Sequence, residues 1–185
     1  MKSPKKISFF ISLFLIVSCS GSLDFNQLED YVPKSKYTTP LIYFTAFPAQ
    51  FFDSTRTIQQ NSISDSAIIS DFDDFQGNLI RGRIVKIVLN AELRNAFDRD
   101  VIVQIEFLDE NAVIYSFRPI IVANNHRKFL PFEEEIIIAS NSNVLNTTQI
   151  RVTVTLENIG IQMNPNDISE FEFKSVITLF LESNL

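Results

Sequence analysis

His126 is the only histidine in the chain and sits in Asn124-Asn125-His126-Arg127-Lys128. Catalysis through an imidazole needs a nucleophile within hydrogen-bond reach and a carboxylate to orient the ring. No serine stands in a G-x-S-x-G turn and the residues after His126 are cations, so it reads as a solvated loop residue. Glu133-Glu134-Glu135 offers three carboxylates in a row. Acid pairs for glycoside hydrolysis need a defined gap across a cleft and divided pKa values, which adjacency along a strand does not provide. The run reads instead as charge guarding an edge strand against sheet-to-sheet association. Asp71-Phe72-Asp73-Asp74-Phe75 gathers the hard oxygen ligands that calcium takes, without the central glycine and distal glutamate of an EF-hand loop. A solvated acidic turn is expected there, with no metal and no other cofactor. No enzyme is defined by these residues.

Aromatic rings offer a second chemistry, recognition by stacking. The densest stretch is Leu41-Ile42-Tyr43-Phe44-Thr45-Ala46-Phe47, followed by Phe51 and Phe52. The chain has no tryptophan, and phenylalanine carries no polar handle for a sugar's rim, so core packing is the expected use. Rings exposed together would instead mark a protein interface. Tyr43 and Tyr115 are the residues on which a glycan-binding reading turns. Asp53-Ser54-Thr55 and Asp65-Ser66-Ala67 resemble the short O-glycosylation sequons of Bacteroidetes envelope proteins. The resemblance implies Ser54 and Ser66 as acceptors.

The first eighteen residues have the three parts of an export signal. Lys2, Lys5 and Lys6 make a cationic start, residues 7–17 form an apolar run broken only by Ser8 and Ser12, and Ile16-Val17-Ser18-Cys19 closes it. A bilayer core about 30 Å thick needs roughly 20 helical residues, so the run is short for a permanent span and fits a signal peptide. Ile16, Val17, Ser18 and Cys19 resemble the lipobox of bacterial lipoproteins. The resemblance implies cleavage after Ser18 and a diacylglyceryl group on the Cys19 sulfur, with its freed amine commonly acylated too. At roughly 0.8 kcal/mol per buried CH₂, two or three acyl chains hold firmly where one holds marginally. Cys19 is the only cysteine, so lipidation leaves no thiol for a disulfide, a nucleophile or a metal. Without the three signal lysines the formal charge falls from −6 to −9. An acidic surface of this kind disfavours nucleic acid and anionic headgroups.

Positioning elements come next. Residues 1–18 are expected as the signal peptide, 19–36 as lipidated cysteine and flexible tether, and 37–185 as one domain. Alternation of apolar and polar residues marks strands. It is clearest at 83–94 (Val85, Ile87, Leu89, Ala91, Leu93), 101–107 and 150–156, and a last strand runs over 171–181. Val88 breaks the contrast, which suggests a partly covered outer face. Short polar connections at 95–100 and 109–111 predict a meander of antiparallel strands. Residues 142–147 suit one helical turn with Ser142 as N-cap. About seven main strands without a long helix predict an all-β protein, an immunoglobulin-like antiparallel β-sandwich.

A phenylalanine-rich, glycine-poor lipoprotein of this kind resembles, in style, the envelope lipoproteins of Bacteroidetes. Ser20 after the anchor cysteine resembles the pattern of lipoproteins sorted to the outer membrane. The expectation is therefore a lipid-anchored envelope protein with a non-catalytic binding or assembly module. Its partners would be the membrane, through Cys19, and another envelope protein. The alternative is a glycan-binding lipoprotein of a nutrient-uptake system.

Overall fold

Strand-forming alternation is satisfied by two antiparallel sheets packed face to face. The structure, a computed structural model, describes residues 34–57, 59–68 and 78–182. The signal peptide, Cys19, most of the tether and the Asp71–74 cluster lie outside the described residues. The strands are β1 (Lys34–Ala46), β2 (Ser62–Ile68), β3 (Ile84–Asn95), β4 (Val101–Asp109) and β5 (Ala112–Ser116), followed by β6 (Ile120–Val122), β7 (His126–Ile137), β8 (Gln149–Leu156) and β9 (Phe171–Glu182). One sheet has the order β1-β9-β3-β7 and the other β2-β8-β4-β5, with β6 also on β4. β5 and β6 lie against successive parts of β4, so they act as one edge strand interrupted by Phe117-Arg118-Pro119. Proline cannot donate to a ladder, which accounts for the interruption.

The expected all-β antiparallel sandwich is the observed architecture. Its strand order is that of a jelly roll, eight principal strands wound as two Greek keys. An immunoglobulin-like order would place the last two strands in one sheet. Here β8 and β9 lie in opposite sheets. The predicted meander also needs correction: β4 and β5 form a hairpin, but β3 and β4 belong to different sheets, and residues 96–100 arch across the end of the sandwich. Alternation reports which side chains face inward, and both sheets face the same core, so sheet membership leaves no trace in the pattern.

Four strands supply the centre of that core. Ile87, Leu89, Ala91 and Leu93 of β3 and Phe171, Phe173, Ile177 and Leu179 of β9 meet Val101, Val103, Ile105 and Phe107 of β4 and Ile150, Val152, Val154 and Leu156 of β8, all buried. Each such side chain contributes about 1.5–3 kcal/mol on leaving water. Val88 points to the outer face of its sheet yet is only 5% exposed, as its place in the pattern suggested.

β1 begins at Lys34, so the last three residues expected in the tether pair with the C-terminal part of β9. A polar, exposed edge strand lacks the period-two contrast, so residues 34–36 carry no strand signal in the sequence. The register of β1 shifts between Pro40 and Tyr43. Such a bulge strands backbone groups, and Ser175 resolves it: its buried Oγ accepts from Ile42 N–H at 3.2 Å and donates to Ile42 C=O at 3.1 Å. Ser175→Ala is expected to cost about 1–3 kcal/mol by leaving both groups unpaired. Chemical denaturation measures it, and an unchanged midpoint would refute the role.

The turn expected at 142–147 forms as a 3₁₀ turn, Ser142–Asn146, with Asn141 before it and no side-chain cap. Ser142 is therefore inside the turn, not its cap.

Candidate functional site

The chain enters the domain at Lys34, beside Glu182, and β1 carries it about 40 Å to the far end at roughly 3.3 Å per residue. Four connections gather at that far end, 47–61, 96–100, 123–125 and 157–170. They are tied to one another by hydrogen bonds. Ala96 N–H donates to Glu170 C=O, Asn125 N–H to Phe97 C=O, Leu156 N–H to Asn61 C=O and Glu157 N–H to Asp100 C=O. Met163 N–H donates to Gln59 Oε1 at 2.7 Å.

Asn95 organises this end from inside. Fully buried as the last residue of β3, it donates through Nδ2 to the carbonyls of Arg99, Val122 and Ala123 at 2.9–3.1 Å. Its Oδ1 accepts from Phe97 N–H at 3.0 Å. The chain can thus leave one sheet and arrive in the other without stranding its backbone groups. Phe97 drops into the core, edge-on to Phe51 at 5.9 Å and tilted against Phe171 at 6.5 Å.

Arg99 is the largest fully buried side chain among the described residues, 1% exposed. Its Nε and Nη2 donate to the Asp98 carboxylate at 2.9 and 3.3 Å, and Nη1 to Ile161 C=O at 2.9 Å. It forms part of the wall of a polar recess of about 210 Å³ with Gln59, Asn61, Asn158, Gly160, Ile161 and Gln162. Gly160 adopts φ 75°, a conformation that favours glycine, and Asn158 Oδ1 accepts its N–H at 3.0 Å. The exposed apolar side chains of these connections are Phe47, Ile159, Ile168 (88%) and Ile161 (71%), the last of which also lines the recess.

The residues singled out from the sequence are dispersed. His126 opens β7 opposite Asn95 with its ring half-buried, and the hydrogen bonds of that corner run through Asn95 and the backbone. Glu133, Glu134 and Glu135 lie on β7, an edge strand as expected. Glu133 and Glu135 face out, but Glu134 turns inward and latches the two sheets. It accepts from Tyr115 Oη at 3.1 Å and from Arg118 N–H at 3.2 Å. Burial first, then the Glu134 hydrogen bond and charge, raise the Tyr115 pKa above the ordinary tyrosine value of 10.0. The neutral phenol is therefore the form the fold favours. Its contribution is fully present below pH 10 and is lost as pH rises through the Tyr115 pKa. Tyr115→Phe is expected to flatten the alkaline fall in stability between pH 9 and 12 (unfolding by urea at each pH), and parallel curves would refute the latch.

Tyr43 is 65% exposed on the outer face of the first sheet, with the Lys174 ammonium 5.9 Å from its ring. Tyr115 belongs to the other sheet, so the two tyrosines form no common sugar platform. Phe44, stacked on Phe173 at 5.5 Å, and buried Phe51 and Phe52 serve the core, whereas Phe47 is exposed. Ser54 sits in an exposed turn where Asp53 accepts from Thr55 Oγ1 at 2.6 Å and from Thr57 N–H at 2.9 Å. Ser66 is in β2, its backbone paired opposite Arg151. Asn95 and Arg99 escaped the sequence reading. Their only signal was a run of turn-forming residues longer than a hairpin needs.

No known family matches the chain by sequence profile, and no curated protein matches it. Among solved structures it is similar to the infectious bursal disease virus T13 particle, at 14% identity over 80% of this chain and 31% of that one, with a TM-score of 0.42. The VP2 subviral particle of the same virus gives 14% identity over 80% and 32% of the two chains, with a TM-score of 0.40. Desmodium yellow mottle tymovirus gives 11% over 83% and 90%, with a TM-score of 0.34. The chain spans about a third of the length of the first two. Likeness at this level says nothing about what the chain does.

Proposed function

We propose that this chain is a lipid-anchored protein of the bacterial cell envelope, held by Cys19, whose β-sandwich is a non-catalytic binding or assembly module. The observation that carries the reading is the loop cluster at the end of the domain opposite Lys34, where four connections tied by hydrogen bonds carry a polar recess and the exposed side chains of Phe47, Ile159, Ile161 and Ile168. Exposed apolar side chains on loops tied by hydrogen bonds favour contact with another protein. Three of the four sheet edges are poor docking sites by comparison. β1 carries Lys34, Lys36, Pro40 and a bulge, β7 carries Pro131 and three glutamates, and the β5–β6 edge is broken at Pro119. Each device discourages strand addition.

A photo-crosslinking residue at Ile161 or Ile168, compared with one at Ala139 near the opposite end, tests the reading in intact cells. One discrete adduct from the loop cluster and none from Ala139 is expected. Adducts from Ala139 alone, or from none of the three positions, would overturn it. Cys19→Ser should shift the chain from the membrane pellet to the soluble fraction, and unchanged partitioning would remove the anchor from the proposal. Glycan binding within nutrient uptake is the second reading, and the polar recess is what favours it.

A further inference from the structure

We propose that the Arg99 recess binds a neutral, hydroxyl-rich ligand the size of one sugar ring, such as the end unit of a glycan. Orientation of its amides comes first. Gln59 Oε1 is held by Met163 N–H and Asn158 Oδ1 by Gly160 N–H, both backbone donors that require an oxygen. The Gln59 Nε2 and Asn158 Nδ2 groups are therefore donors, with no partner among the described residues. Arg99 adds two more. A guanidinium carries five N–H groups, and Asp98 and Ile161 take three of them, leaving one hydrogen on each Nη. The recess presents donors in excess, and its complement is a group with acceptors in excess.

Charge then selects among acceptors. Asp98 already compensates the guanidinium, and among the described residues no carboxylate or ammonium side chain lines the recess. A carboxylate ligand would bring an unbalanced negative charge beside Asp98 in a chain of net charge −6. A sugar hydroxyl offers two acceptor lone pairs for each donor and no charge. Size agrees: about 210 Å³ is below the roughly 300–1,000 Å³ of sites for larger ligands and suits a single ring. Asn61 and Gln162, with both amide ends uncommitted among the described residues, supply the remaining matched donors and acceptors.

The inference stands apart from the envelope partner, because its test needs only the purified full chain in detergent. Isothermal titration with methyl glycosides of glucose, galactose, mannose and N-acetylglucosamine, and with glucuronate, gives the readout. Saturable millimolar or tighter binding of at least one neutral sugar is expected, with glucuronate no tighter than glucose. Asn158→Asp and Gln59→Glu keep an oxygen for Gly160 and Met163, so the melting temperature should hold while sugar binding weakens about tenfold. Asn143→Asp, at the other end of the sandwich, should leave binding unchanged. No saturable heat with any neutral sugar, binding of glucuronate alone, or undiminished binding by both recess variants would each overturn the proposal.

Discussion

Asn95→Asp is expected to destabilise the domain by about 3–5 kcal/mol, because it turns a satisfied buried hub into a set of facing acceptors. The amide nitrogen that now donates to the carbonyls of Arg99, Val122 and Ala123 would become an oxygen pointing at them. The bond from Phe97 N–H survives, since a carboxylate accepts it as well as an amide does. Two N–H donors are lost and a charge is placed where no water reaches, at a fully buried position. The new carboxyl should therefore hold its proton well above the usual aspartate range. A group whose pKa is raised on folding adds stability at low pH and loses it as pH climbs through that raised value. The deficit should shrink on acidification from pH 7 to pH 4, where a protonated carboxyl donates one bond. Thermal unfolding at both pH values measures it, with a fall in Tm on the order of 10 °C at pH 7. A deficit below 1 kcal/mol, or one independent of pH, would show that Asn95 does not organise the loop end.

Phe171→Ala should cost a comparable amount, about 3–5 kcal/mol, by a different route. Phe171 begins β9 with its side chain fully buried, and its ring sits 6.2 Å from Phe44 and 6.5 Å from Phe97. It pairs with Ala46 of β1 on one side and Asn95 of β3 on the other. Truncation leaves a cavity that closes poorly, because β9 is held in register by ladders to β1 on one side and β3 on the other. Adjacency to Asn95 adds a sharper expectation. Phe97 is gripped by Asn95 at its backbone and by Phe171 at its ring, so losing either grip weakens the other. The Asn95→Asp and Phe171→Ala double variant should lose less than the sum of the two single losses. Urea denaturation of the four proteins tests this, and strict additivity would separate the polar hub from the aromatic cluster.

Much of the β-sandwich was legible in the chain because burial writes a period of two wherever one face is wet. β3, β4, β8 and β9 were visible for that reason, and Val88 was visible as a covered outward residue. The N-terminal half of β1 was not, since Lys34-Ser35-Lys36-Tyr37-Thr38 is an exposed edge with no contrast to read. Glu134 shows a further loss of information. Three identical neighbours look alike in sequence, yet the pleat sends the middle one inward to Tyr115 and the outer two toward solvent.

Sequence alone determined the lipobox-like start with its single cysteine, the acidic balance, the all-β class and the inward face of the strong strands, except at Val85, which a register shift between Ile84 and Lys86 turns outward while Ile84 is buried. Those are local or compositional properties, set by residue type and spacing along a few turns of chain. Tertiary structure decided the jelly-roll order, the arch from β3 to β4, and the meeting of Gln59, Arg99, Asn158 and Gly160 around one recess. The reason is that the two sheets share one core, so equally good alternation is compatible with many connections. Only the pairing of strands distant in sequence, sealed at one end by Asn95, selects among them.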